Sequence, residues 1–137
     1  VRFEGKVWKD GKFWLIEVHT LNAMTQGRTK REAYEMIKDL VETMVNRQGF
    51  EAIVYPTSRE RFELGSNETK FIVALLLRRQ REKRGVTLAE AAKRLNQTSR
   101  NAYARYEQGR SIPTVEKLEE LLKAVAPEEE LVWRVAT

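Results

Sequence analysis

Apolar and polar residues alternate from Phe3 to Lys9, with Phe3, Gly5 and Val7 set against Glu4, Lys6 and Trp8. A period of two is the mark of a half-buried strand. Asp10-Gly11 is a turn dipeptide and Phe13 to Val18 resumes a β-rich run, so the chain opens on a predicted hairpin. Beyond Thr25-Gln26-Gly27 the period lengthens. Ala33, Met36, Ile37, Leu40, Val41 and Met44 recur at helical spacing, and Thr29 with Glu32 stands ahead of them at capping-box spacing. This predicts one long helix, stopped by Gly49, with its apolar stripe against the hairpin. Phe50 to Tyr55, followed by Pro56, reads as a further strand, and Arg61 to Leu64 as a last one. The first module is expected to be a small antiparallel sheet carrying one helix, with a third strand before the helix left optional.

Gly65-Ser66-Asn67 separates this module, residues 1–65, from a second one, residues 66–137, in which strand signals give way to helical ones. A helix is predicted from Asn67 to about Arg84, since the apolar run Phe71 to Leu77 continues into charged residues that favour helix by length and composition. Gly85 ends it. Thr87 with Glu90 forms a second capping box, opening a helix with Leu88, Ala91, Ala92 and Leu95 inside. Asn96-Gln97-Thr98-Ser99 is a polar turn, and Arg100 to Gln108 a helix with Ala102, Tyr103 and Tyr106 inside, closed by Gly109. Pro113 precedes a helix from Val115 to Val125, whose apolar face is Leu118, Leu121, Leu122 and Val125. Pro127 closes it, and Leu131 to Val135 is expected as a strand or a docked extension. The fold class is thus α+β followed by all-α.

At 137 residues the chain has room for one compact domain or two small ones, which excludes a large multidomain enzyme. The absence of Cys removes disulfides, thiolate catalysis and Cys-based zinc sites together. No apolar run approaches the roughly 18 residues of a spanning helix, and no basic stretch leads into an apolar one at the start, so a cytoplasmic protein without a membrane contact is expected. The first residue is Val1 and not Met, as expected where a few residues precede it. The net charge of +5 changes the picture only when resolved along the chain. Residues 1–65 carry 11 basic and 10 acidic side chains, residues 70–110 carry 11 basic against 3 acidic, and residues 111–137 carry 3 basic against 6 acidic. A module at +8 is what a polyanion partner selects, although a solvated helical surface carries charge as well.

Two short helices joined by a tight turn, with Ala91 and Ala92 small enough for the second to cross close to the first, make a helix-turn-helix pattern. The strings Gly85-Val-Thr-Leu-Ala-Glu-Ala-Ala-Lys-Arg-Leu95 and Ser99-Arg-Asn-Ala-Tyr-Ala-Arg-Tyr-Glu-Gln-Gly109 resemble the Xre or Cro/C1-type repressor family over about residues 70–126. The resemblance implies a five-helix domain that lays the second helix of the motif in the major groove. Between Leu95 and Ser99 the turn is one residue longer than the family's common spacing, which leaves Thr98 and Ser99 both open as the cap. With Ser99 as cap, Arg100, Asn101 and Arg105 leave the outer face and are the expected base readers, since Arg matches guanine O6/N7 and Asn matches adenine N6/N7. Lys93, Arg94, Gln97, Thr98, Ser99 and Arg110 lie where phosphate contacts are expected. Tyr103 and Tyr106 can stack on bases, but their spacing beside Ala102 places them in the core. The resemblance also implies a structural ion pair between Glu107 and Arg81.

Phe13 to Val18, then Thr25-Gln26-Gly27-Arg28-Thr29 leading into Glu32-Ala33 and an amphipathic helix, resemble the HicB antitoxin family over about residues 2–56. That resemblance implies a reduced RNase H-like or ferredoxin-like module that masks a small HicA-type mRNA-cleaving toxin, joined to a repressor of the operon. Catalysis is not expected. A two-metal nuclease needs clustered carboxylates, whereas Glu32, Glu35, Asp39 and Glu42 interleave with Lys30, Arg31 and Lys38 as a solvated helix face. Asp10 falls in a turn and Glu17 on a strand. His19, the single histidine, has no partner residue type for a metal or nucleophile pair, and Trp8, Trp14 and Trp133 read as core or interface. No cofactor or metal is expected. The favoured reading is an antitoxin and autorepressor binding operator DNA, as a homodimer or higher homo-oligomer, because one recognition helix reads too few base pairs. The alternatives are a regulator whose first module binds a small ligand and, more remotely, a DNA-targeted nuclease.

Overall fold

A computed structural model of the chain describes residues 1–96 and 100–136, with residue 100 described by its backbone alone. Its first half is a five-stranded antiparallel sheet built from β1 (Phe3–Asp10), β2 (Phe13–Val18), β3 (Ala23–Gly27), β4 (Ala52–Pro56) and β5 (Arg61–Ser66), in the spatial order β3-β2-β1-β5-β4. The hairpin register pairs Asp10 with Phe13 and Val7 with Ile16, so Val7, Ile16 and Val18 share one face, each fully buried. Helix α1 (Lys30–Val45) lies on that face and buries Ala33, Ile37 and Val41. Thr29 caps it by accepting the Glu32 amide at 3.0 Å, while the Glu32 carboxylate accepts the Arg28 amide at 3.2 Å.

Two expectations are corrected here. The helix ends at Val45, with Asn46 in the left-handed region at φ 50°, and not at Gly49, which sits in the following turn at φ 83°. Asn tolerates that conformation, so the chain turns at the first residue able to do so. Met36, placed by its spacing in the buried stripe, is 39% exposed on the flank of the helix.

Helices α2 (Thr69–Lys83), α3 (Leu88–Arg94), α4 (Arg100–Glu107) and α5 (Val115–Val125) make up the second half. The seven residues from Phe71 to Leu77 are apolar on every side of α2, and the surroundings explain why. Ile72, Leu75 and Leu76 belong to the core under the sheet, while Val73 and Leu77 belong to a second core with Ala91, Tyr103, Leu118, Leu121 and Val125. One helix therefore serves two cores. Polar contacts from the same helix fasten the sheet side: Arg79 donates to the carbonyls of Leu21 and Asn22 at 3.0 and 2.7 Å, Gln80 to that of Thr20 at 2.6 Å, and Arg78 to that of Met44 at 2.9 Å. The three carbonyls at residues 20–22 belong to or adjoin a 3-10 turn, His19–Leu21, which leads into β3.

Among the described residues the chain after α5 forms no strand. Leu131 packs on the second core and Arg134 reaches the sheet, where Glu63 on β5 also accepts from Arg2 at 3.2 Å. Hydrogen bonds from Arg134 and then Arg2 hold the Glu63 carboxyl below its ordinary pKa. A lowered carboxyl pKa contributes stability above the unfolded value that is lost as pH falls through the folded one. Docking of residues 131–136 is accordingly expected to persist at neutral pH and to fail on acidification, and Glu63→Gln is expected to remove the dependence. The Arg134 guanidinium NMR resonance followed against pH reads this directly; a signal that does not change through the acid range in the unsubstituted chain would refute it.

Candidate nucleic-acid interface

Thr87 opens α3 by accepting the Glu90 amide at 3.0 Å, and Ala91 and Ala92 are buried where α4 crosses. The small side chains let the two backbones approach, as a helix pair at a steep angle requires. On α4 the inner side is Tyr103, fully buried, with Ala104 and the half-buried Ala102 and Tyr106. Both tyrosines are therefore packing residues of this half. Asn101 and Arg105 are exposed one helical turn apart on the outer side, and Arg110 is exposed beyond Gly109. Gly109 sits at φ 68°, and a Cβ there would lie 2.6 Å from the Phe71 ring, so glycine is required for both reasons. Lys93 is exposed at the end of α3.

Arg81, Glu107 and Tyr103 form a closed network behind this face. Arg81 donates from Nε to Glu107 Oε1 at 2.6 Å and from Nη2 to Oε2 at 3.1 Å, while its Nη1 holds the Val86 carbonyl at 2.9 Å. The Tyr103 hydroxyl donates to Glu107 Oε1 at 2.8 Å. Hydrogen bonding to Glu107 raises the Arg81 pKa, and burial, followed by the Glu107 charge, pushes that of Tyr103 far up. The network joins α2, the loop before α3 and α4, so it fixes the orientation of α4. The part played by Tyr103 lay in its i, i+4 spacing to Glu107, a signal available in the sequence but outweighed there by its apolar neighbours.

Much of the positive charge of residues 70–110 does not face solvent freely. Arg78, Arg79 and Arg81 are committed to the contacts above. Arg84 bonds Gln80 and pairs with Glu128 and Glu129. Arg94, expected at a phosphate, donates from Nη1 to the Ala124 carbonyl at 2.8 Å, tying α3 to the C-terminal turn of α5, where backbone carbonyls lack helical partners, and its side chain stays 45% exposed. What remains beside the outer side of α4 is Lys93, Arg105 and Arg110, exposed and without a side-chain partner among the described residues. Gln97, Thr98, Ser99 and the side chain of Arg100, also expected at DNA, lie outside the described residues, as does the choice between Thr98 and Ser99 as cap.

His19 is exposed in the 3-10 turn, and Glu42 on α1 accepts the Ala52 amide at 2.8 Å. Among the described residues no helix is long and apolar enough to cross a membrane. Residues 72–132 match the family model of a helix-turn-helix domain, spanning four fifths of α2 and all of α3, α4 and α5. No curated protein matches the chain.

Proposed function

We propose that this chain is a sequence-specific repressor that binds operator DNA through α4 and acts as the antitoxin of a small HicA-like mRNA-cleaving toxin held by its sheet module. The carrying observation is the outer side of α4: Asn101 and Arg105, flanked by the open cations Lys93 and Arg110, on a domain that matches the helix-turn-helix model over residues 72–132. Arg105, with Arg100 and Asn101, reads base edges; Lys93 and Arg110, with Gln97, Thr98 and Ser99, hold phosphates. A homodimer presents two such helices to a two-fold operator. The antitoxin half rests on the HicB-like pattern of residues 2–56. The chain itself catalyses nothing and needs no cofactor, and it works in the cytoplasm.

Fluorescence anisotropy on the DNA upstream of the coding region tests the DNA half. Arg105→Ala is expected to cost about 1–3 kcal/mol on the operator and almost nothing on random DNA. Lys93→Ala is expected to weaken both alike and to make the salt dependence shallower by about one unit of log-log slope. Equal losses on both DNAs for Arg105→Ala would refute base reading by that residue. For the toxin half, growth arrest by a neighbouring gene encoding a small basic protein should be relieved by co-expression of this chain. A failure of rescue with operator binding intact would favour a ligand-responsive regulator instead.

A further inference from the structure

Two cations from different halves of the molecule meet on one ring. Asn46, left-handed at φ 50°, turns the chain out of α1, and the next residue, Arg47, reaches the far end of α4. Its Nη2 donates to the Gln108 carbonyl at 3.1 Å, and its guanidinium carbon stands 5.4 Å from the centre of the Phe71 ring. The Lys70 ammonium lies 5.0 Å from the centre of the same ring. The two charges are therefore within about one Debye length of each other, roughly 10 Å at 0.1 M salt, and salt screens their repulsion only in part. Phe71 also packs against Gly109, where a Cβ would meet the ring at 2.6 Å, so the pair of cations adjoins the loop that carries Arg110.

No carboxylate answers this cluster. Among the described residues Arg47, Lys70 and Arg110 take part in no ion pair. Glu107, beside Gln108, turns inward to Arg81 and Tyr103, and Glu68, two residues before Lys70, is exposed and pairs with neither cation. The carbonyl end of a helix attracts positive charge, which accounts for Arg47 alone. A second cation on the same ring adds repulsion that no acid of the chain offsets. Arg47 is exposed, and its one carbonyl contact leaves most of the five N–H donors of a guanidinium open.

We infer that Arg47, Lys70 and Arg110 form a phosphate clamp that extends the DNA contact of α4 onto the sheet half. Continuity selects a DNA backbone as the occupant. The Arg110 amide bonds the Arg105 carbonyl at 3.1 Å, so the cluster begins one turn from the outer side of α4. A DNA strand carries a phosphate about every 3.4 Å along the helix axis. A backbone crossing the end of α4 thus meets Arg110 and then the two cations on Phe71. Arg47 and Lys70 both precede the matched residues 72–132, so this contact is additional to the helix-turn-helix domain. The inference rests on the DNA-binding reading and adds the sheet half to its contact surface.

Fluorescence anisotropy over a salt series, on operator and on random duplex DNA, tests the clamp. Arg47→Gln and Lys70→Gln are each expected to make the log-log salt slope shallower by about 0.9, and the double substitution by about 1.8, because each lost phosphate contact removes its share of counterion release. The change is expected to be equal on both DNAs. Arg47→Lys keeps the charge and is expected to keep the slope. Lys12→Gln removes the same charge from the β1–β2 turn, outside the cluster, and is expected to leave the slope alone. A role confined to packing would lower stability, read by circular dichroism, and move no slope. Unchanged slopes for Arg47→Gln and Lys70→Gln, with the Arg105→Ala loss on the operator intact, would overturn the clamp and leave the DNA-binding reading standing. An equal change for Lys12→Gln would overturn it too, by assigning the effect to net charge. Absence of DNA binding by the unsubstituted chain would overturn both.

Discussion

Arg81→Met is expected to lower the unfolding free energy by about 3–5 kcal/mol, the cost of stranding one member of a buried ion pair. The Glu107 side chain is only 7% exposed and that of Arg81 15%, and the two meet in a bidentate contact. Methionine fills a similar volume but leaves the carboxylate with the Tyr103 hydroxyl alone and frees the Val86 carbonyl. Removing both charges is a milder change, so Arg81→Met with Glu107→Met should recover most of the loss. Arg84 provides the contrast. Its partners Glu128 and Glu129 are 59% and 46% exposed, and solvent screening leaves pairs of that kind little stabilising effect. Urea titration followed by circular dichroism separates the two classes through the midpoint at constant slope. An Arg81→Met loss no larger than that of Arg84→Met would show that the network does not hold α4 in place.

Local chemistry was legible along the chain where the relevant partners are close in sequence. Thr29 with Glu32 and Thr87 with Glu90 mark the starts of α1 and α3, and the Asp10-Gly11 turn marks the hairpin. The architecture of two parts, a sheet with a helix and then a bundle, followed from the switch of period near residue 66. Partners distant in sequence left no such mark. A count of basic residues over 70–110 does not reveal that Arg79 ends on the carbonyls of Leu21 and Asn22, or Arg94 on that of Ala124. The open positive surface is therefore smaller than +8 suggests, and it concentrates at Lys93, Arg105 and Arg110. The helix stop at Asn46 was obscured for a different reason: asparagine and glycine both accept left-handed backbone, and the apolar stripe ends at Met44, before both, so it prefers neither.

The double duty of α2 was half visible. Seven consecutive apolar residues require burial on every side of a helix, but a sequence does not say whether one core surrounds them or two. The consequence is a testable coupling. Leu76 is 3% exposed in the core beneath the sheet and Leu77 fully buried in the core beneath α4, so Leu76→Ala and Leu77→Ala remove contacts from different halves of the molecule. Each is expected to cost about 2–5 kcal/mol. If α2 binds the halves into one cooperative unit, each loss lowers the same transition, and the fluorescence of Trp8 and Trp14 in the sheet, read in a Trp133→Phe background, moves together with the helical circular dichroism signal. Independent halves would give two midpoints, with Leu77→Ala shifting the helical signal alone. Coincident transitions would carry a functional meaning as well. Gln80 grips the turn before β3 while Arg81, the next residue, grips Glu107 on α4. Through that pair of neighbours, one helix ties the turn before β3 to α4, which lies within the residues that match the helix-turn-helix model.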